Sequence, residues 1–461
     1  MPARTARKGL AEELSTIVGT EHIVTDEAAL GAYQRDMADF EAVPSAVVRP
    51  GTEDEIVRIV KVASRRGIPI VARGAGTSLT GAVVLKGGIV LDVTRLNRIL
   101  KVDPVNWYVH VQAGVVLDDL NDALRKDGFF FPPDPASSFV CTAGGAIAEG
   151  SGGMRCVRYG TMRDWVLALR VVLANGRTAM FGEPLAKNRA GYDLVHLMIG
   201  SEGTLGIVTE AYLKILPLPT VPIVRMLVTF GDWPSAGRAI QELRRRRISA
   251  NLMEFMDLET VRAVNAAFRM DLEEAEATLL VDLEAPLVPS AEEVFRTHGA
   301  RGFTRAADEE QAGRLYSARS RAYLAVKELA SGVQIEDVTV PIERLAEYLG
   351  LVKETARRLG LRIPTLGHAG DGNVHPTILF DRANPASQRA ATAALEELCR
   401  YAIRVGGTVT GEHGIGVQKA SLMREQMEAH GGQEGLRLMK EIKRLFDPKG
   451  IMNPGKYVEL A

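Results

Sequence analysis

Three of the chain's eight histidines fall in two short motifs, Gly367-His-Ala-Gly-Asp-Gly-Asn-Val-His375 and Gly411-Glu-His-Gly414. His368 and His375 stand at opposite ends of a loop whose glycines, Gly370 and Gly372, permit a turn that brings both imidazoles to one point. With the carboxylate of Glu412 they make a two-histidine, one-acid set, suited to zinc, manganese or iron with coordination positions left open. A metal held this way can bind an oxygen ligand at its open positions, lowering the pKa of a bound hydroxyl. His413, next to Glu412, suits a different step, because an imidazole of near-neutral pKa can remove that hydroxyl proton. The isolated histidines, His22, His110, His196, His298 and His430, read as ordinary surface or core residues.

Such side chains need a scaffold, and the pattern along the chain supplies two kinds. Between Ser45 and Gly74 a β run (Ala46, Val47, Val48) is followed by a Thr52/Glu55 capping box. Ile56, Val57, Ile59, Val60 and Ala63 then recur at helical spacing until Gly67. A second strand, Ile68 to Val71, feeds a glycine-rich loop, so the product of this βαβ unit is the loop. Strands at Gly88 to Val93 and Trp107 to Gln112, and a helix on Leu117, Leu120 and Leu124, continue the same domain. Beyond Pro217 and Pro219 the texture changes. Strands at Ile223 to Phe230, Ala250 to Phe255 and Thr278 to Leu283 alternate with helical stretches such as Ala236 to Arg247, which predicts an α+β cap with an antiparallel sheet. A helix over Glu434 to Phe446 closes the chain.

The glycines are the second chemical signal. Arg73-Gly-Ala-Gly-Thr-Ser-Leu-Thr-Gly81 follows a buried strand, where backbone amides can turn inward toward a phosphate. A nicotinamide-binding loop would read G-x-G-x-x-G and open a helix. Here Leu79 takes the third glycine position, and Gly81, Gly87 and Gly88 interrupt the helix that should follow. Two more clusters, running from Pro132 through Gly153 to Gly160 and from Gly200 to Val208, suggest an extended ligand lying along backbone amides.

In this order the clusters resemble the FAD domain of the vanillyl-alcohol oxidase and p-cresol methylhydroxylase superfamily. Within it the chain is similar, from about Val43 to Lys456, to the D-lactate, glycolate and D-2-hydroxyglutarate dehydrogenase branch. The resemblance implies an α+β fold: an FAD-binding domain over residues 1–219, a substrate- and metal-binding cap over 220–420 and a C-terminal helical segment over 421–461. It also implies that Arg73, Gly74, Ala75, Gly76, Thr77, Ser78 and Gly81 wrap the diphosphate. Pro135, Thr142, Gly144, Gly145, Ala148 and Gly152 would line the flavin, and Gly206 and Val208 would border the adenosine; Tyr159, Glu202 and Asn453 join the cofactor site. Some relatives tether FAD through a histidine in the first loop. Thr77 and Ser78 stand there in this chain, so FAD is expected to be non-covalent. The family's metal ligands fall on His368, His375 and Glu412, with zinc or manganese expected, and its base falls on His413. Arg319, in Tyr316-Ser-Ala-Arg319, falls at the substrate carboxylate, where a planar guanidinium forms a bidentate pair.

Two departures bear on the substrate. Thr377 stands where some relatives have asparagine, and Ile335 where D-2-hydroxyglutarate enzymes place lysine, with Lys327 or Arg321 left as compensating cations. The expected reaction is therefore FAD-dependent oxidation of a small D-2-hydroxy monocarboxylate such as D-lactate, with D-2-hydroxyglutarate or glycolate as alternatives within the family. A flavin-binding subunit of an electron-transfer complex with a structural metal site is the alternative from another class. The electron acceptor, whether quinone, cytochrome, electron-transfer flavoprotein or oxygen, and the oligomeric state, a homodimer included, stay open.

Bulk composition fits this reading. A formal charge of −1 gives no global field for nucleic acid, and the basic run Arg244 to Arg247 reads as a solvated helix end. Cys141, Cys156 and Cys399 are too few and scattered for a disulfide framework. The basic N-terminus reaches Glu12 and Glu13 before any signal-peptide core, and no apolar run of about 18 residues follows. The expectation is a cytoplasmic protein without a transmembrane segment, at most peripheral at the membrane.

Overall fold

The computed structural model describes residues 2–457, apart from the side chains of residues 2–8, which include the basic N-terminal residues. The chain forms two compact units. The first takes the residues up to Ser151, Thr161–Leu218 and those from Glu412 on; the second takes Gly152–Gly160 and Pro219–Gly411.

In the first unit, Thr52 caps the helix Glu53–Arg66 by accepting from the Glu55 N–H, and Glu55 accepts in return from the Gly51 N–H. Gly67 ends the helix at φ 63°, a left-handed conformation that favours glycine. The helix buries Ile56, Ile59, Val60, Val62 and Ala63 in a core shared with Leu14, Ile89 and Leu91. The strands Ala46–Val48 and Ile70–Arg73 do not pair with each other. Ile89–Asp92 lies between them, parallel to both, and Ile23–Val24 adds an antiparallel edge. A second sheet, antiparallel throughout, has the spatial order Ile99–Asp103, Tyr108–Gln112, Ile207–Lys214, Val166–Val172, Thr178–Gly182.

One element was hidden in the sequence. Within the glycine-rich stretch, Ala143–Glu149 is a helix, capped by Thr142 Oγ1, which accepts from the Gly145 N–H. A Cβ on Gly144 would lie 2.6 Å from Ala113 Cβ, so glycine is what lets this helix sit against the adjacent backbone. The glycines here serve packing as well as ligand approach.

The second unit is built on a sheet whose spatial order is Ala300–Arg305, Ile223–Phe230, Ala277–Glu284, Leu252–Asp257, Thr365–His368, Asn373–Phe380, Gly332–Ile335; the short strand Val338–Thr339 also pairs with Asn373–Phe380. All the pairings are antiparallel. Alternation along the strands divides the residues between two faces. On one, Leu227, Leu252, Met256, Leu280 and Leu366 pack with Leu315, Ala318 and Ala322 from the helices Glu309–Ser320 and Ala322–Lys327. The helix end carrying Arg244 is not simply solvated: Arg244 Nη1 donates to the Gly370 carbonyl at 2.6 Å. Among the described residues no helix is long and apolar enough to cross a membrane.

Candidate active site

The motif around His368 folds as a hairpin. Thr365–His368 and Asn373–Phe380 pair with His368 opposite Asn373 and Leu366 opposite His375, which puts the two histidines diagonally on one face of the sheet. Gly372 makes the turn at φ 84°, and a Cβ there would lie 2.2 Å from the Val340 carbonyl oxygen. The two rings sit edge to face with centroids 5.1 Å apart. Both are buried, and both have Nδ1 directed at an acceptor. His368 Nδ1 donates to Glu254 Oε1 at 2.7 Å, and His375 Nδ1 donates to the Glu336 carbonyl at 3.2 Å. With the proton on Nδ1, each neutral ring carries its lone pair on Nε2, the tautomer a metal ligand requires.

The same face continues on both sides. Glu254 is the cross-strand partner of His368, and Ile335 is the partner of Thr377, which lies two residues beyond His375 on the same side of its strand. The two positions where the chain departs from some of its relatives are thus one contact pair beside His375. Both are buried, Ile335 at 8% exposure and Thr377 at 0%. Arg319, in the helix Glu309–Ser320, is 3% exposed. Its Nη2 lies 2.6 Å from Glu254 Oε2 as an ion pair, yet off the hydrogen-bond line, so Nε and Nη2 have donors unmet. Of the two compensating cations considered for Ile335, Arg321 is exposed and Lys327 half-buried.

Asp337 organises the far end of the face. Its buried carboxylate accepts from Asn373 Nδ2 at 2.9 Å, Thr410 Oγ1 at 2.6 Å and the Gly411 N–H at 2.9 Å, and lies 3.7 Å from His375 Nδ1. Gly411 is the last residue of the second unit, and Glu412 and His413 are the first two of the segment that returns to the first. There the His413 carbonyl accepts from Thr80 Oγ1 in the first glycine loop, and the Ile415 and Gly416 N–H groups donate to Glu202.

The first unit has its own cleft, lined by Arg73, Gly74, Gly144, Gly145, Ala148 and Gly206, together with Glu202 and Val208. Thr142 stands beside it, its Oγ1 2.2 Å from where a Cβ on Gly74 would be. The Arg73 guanidinium folds back under its own loop, donating to the Arg35 carbonyl and filling the space next to Gly76. Asn453 donates to the Ala82 and Glu202 carbonyls, while its buried Oδ1 has no partner. Gly152 and Tyr159 cluster with the second unit instead. Ala75, Gly76, Thr77, Ser78, Gly81 and Pro135 are not among the residues lining this cleft.

Two acidic groups in this cleft are not legible as a pair from sequence. Burial pushes the Glu202 carboxyl up to about 7, with Asp36 adding to the shift and the Ile415 and Gly416 amides opposing it. Glu149 is raised well above the ordinary carboxylate range by burial and by Glu202 and Asp36. Glu254 is equally hard to single out. Its one signal in the sequence is a charged residue in the middle of the apolar run Leu252-Met-Glu-Phe-Met256.

Comparison with known proteins gives the family. Residues 44–182 match the FAD binding domain family and residues 222–457 the family of FAD linked oxidases, C-terminal domain. The chain is 37% identical to the glycolate oxidase subunit GlcD of Bacillus subtilis (strain 168), over 97% of this chain and 96% of that one. It is 36% identical to a D-lactate dehydrogenase of Archaeoglobus fulgidus, over 93% and 95%. Among solved structures, p-cresol methylhydroxylase with substrate bound superposes with a TM-score of 0.81 at 19% identity, covering 98% of this chain and 97% of that one. The chain belongs to the FAD-linked oxidases and is an oxidoreductase of the D-lactate and glycolate dehydrogenase family.

Proposed function

We propose that this enzyme oxidises a small D-2-hydroxy monocarboxylate, D-lactate or a close relative, to the 2-oxo acid. The observation that carries the reading is the composition of one sheet face: two tautomer-fixed histidines, a buried guanidinium with donors unmet, and an apolar Ile335 next to Thr377. One carboxylate finds a bidentate partner in Arg319. A second carboxylate would be buried beside Ile335 without a cation, which costs several kcal/mol.

Gly74, Gly144, Gly145 and Gly206 would hold FAD without a covalent bond, and FAD when bound would supply the two-electron acceptor. The donor set His368, His375 and Glu412 suits zinc or manganese, which when bound would polarise the substrate hydroxyl. His413 takes the hydroxyl proton as general base. Arg319 orients the carboxylate, fixing the direction in which the single hydrogen on the reacting carbon points, and the apolar wall at Ile335 accommodates a short aliphatic tail.

Anaerobic stopped-flow bleaching of the flavin by a panel of D- and L-2-hydroxy acids tests this without knowledge of the acceptor. D-lactate should reduce the flavin with a higher second-order rate constant than D-2-hydroxyglutarate or any L-acid. Ile335→Lys should narrow the lactate-to-hydroxyglutarate ratio by roughly 10-fold or more, the scale of one recovered buried ion pair. A wild-type preference for D-2-hydroxyglutarate would overturn the pocket assignment.

A further inference from the structure

Glu254 is fully buried in the strand Leu252–Asp257, where an apolar residue would fill the space at no electrostatic cost. A carboxylate removed from water is strongly disfavoured unless each oxygen is compensated. Here each oxygen meets a different group: Oε1 accepts from His368 Nδ1 at 2.7 Å, and Oε2 lies 2.6 Å from Arg319 Nη2. Resting on the function proposed above, these are the two residues assigned to opposite ends of the reacting 2-hydroxy carboxylate. We propose that Glu254 is a positioning residue that couples them, locking the tautomer of His368 through one oxygen and holding the Arg319 guanidinium as a preformed carboxylate receptor through the other.

The geometry explains how one carboxylate does both. The bond from Nδ1 fixes the plane of the His368 ring and leaves its lone pair on Nε2, directed away from Glu254. On the other side, proximity to Oε2 balances the guanidinium charge, yet the pair is out of line for a hydrogen bond. Arg319 is therefore neutralised without its donors being consumed, and a planar substrate carboxylate can take two of them. The same arrangement limits the site to one substrate anion at this point, because a second would share the guanidinium with Glu254.

The test uses the FAD-loaded protein and 2-hydroxyisobutyrate, a 2-hydroxy acid with no hydrogen on its reacting carbon, which binds without turnover. Its Kd is measured by titration calorimetry for wild type, Glu254→Gln, Arg319→Met and the double variant, with KM and kcat for D-lactate alongside. Glu254→Gln keeps an oxygen that can accept from His368 but removes the charge facing Arg319, so it should weaken probe binding roughly 10- to 100-fold, within the coupling range of residues in one ion-pair network. It should also raise KM more than it lowers kcat. The decisive result is non-additivity: in the Arg319→Met background the Glu254 change should add little. Additive effects, or an unchanged Kd in Glu254→Gln, would overturn the coupling and leave the proposed function standing. An unchanged Kd in Arg319→Met would overturn the carboxylate assignment itself, and the coupling with it. If Glu254→Gln loses its flavin or its cooperative melting, Glu254→Asp runs the same cycle. That shorter side chain keeps the charge but reaches only one partner, so its Kd should rise, and the rise should vanish in Arg319→Met.

Discussion

The two units offer opposite kinds of surface to a ligand. The cleft of the first is made of backbone and small residues, with glycines at Gly74, Gly144, Gly145, Gly203 and Gly206. The sheet face of the second is made of side chains, each oriented by another buried group: His368 by Glu254, His375 by Glu336, Asn373 by Asp337. A backbone cradle tolerates loss of a side chain and fails when a side chain is added. An oriented side-chain site fails when an atom is removed. Mutations of the two kinds should therefore have separable consequences.

The largest effect is expected on the sheet face. His375→Ala removes one of the proposed metal ligands and should bring metal content, measured on never-chelated protein, and D-lactate oxidation to the detection floor. FAD content should stay at wild-type level, because the cleft is built from other segments. No metal in the unmodified protein would sink the ligand assignment. His413→Asn should differ in kind: metal and FAD stay, and flavin reduction slows about 10²–10⁴-fold, the scale of a lost general base. Unchanged reduction kinetics would remove His413 from that role.

The complementary experiment adds atoms to the cradle. At Gly144 a Cβ would fall 2.6 Å from Ala113 Cβ and 3.0 Å from the Ala113 carbonyl oxygen, and neither neighbour is a flexible chain end. Replacing a helical glycine normally stabilises by up to about 1 kcal/mol, but overpacking of this kind costs about 1–3 kcal/mol, so the clash should win. Gly144→Val is expected to lower the melting temperature and the fraction of FAD retained through gel filtration. If Gly144→Val keeps its full flavin, the idea that this helix must approach so closely fails.

The same contrast accounts for what could be read from sequence. Histidines are rare and chemically distinctive, so His368, His375 and His413 stood out by type and spacing alone. Glycine clusters announced a ligand but concealed the helix Ala143–Glu149, because two consecutive glycines argue against a helix unless the tight approach to Ala113 is known. The strand order of the first sheet was equally hidden, since Ile89–Asp92 inserts between two strands that follow each other in sequence. The groups that orient the site were the hardest to see. Glu254 acts from more than a hundred residues away in sequence from His368, and only register on the sheet brings them together.

The cleft has one exception to its backbone character, and it yields the smallest expected effect. Glu202 is 4% exposed, and burial raises its carboxyl from 4.5 to about 7, with Glu149 and Asp36 nearby also raised. A carboxyl whose folded pKa lies above its unfolded value binds its proton more tightly in the native state. Its contribution to stability is therefore complete below about pH 4.5 and is lost as pH rises through about 7. The shift is worth up to roughly 3 kcal/mol at 1.4 kcal/mol per pKa unit. Glu202→Gln removes the ionisation but also weakens acceptance from the Ile415 and Gly416 amides, a loss of about 1 kcal/mol. The variant should accordingly be slightly less stable than wild type at pH 5 and more stable at pH 8, so that their melting curves cross between. Parallel curves over that range, with the wild type the one that loses stability at lower pH as the carboxyl is protonated, would show that Glu202 does not titrate there and that the Ile415 and Gly416 amides, with Lys456, outweigh its burial.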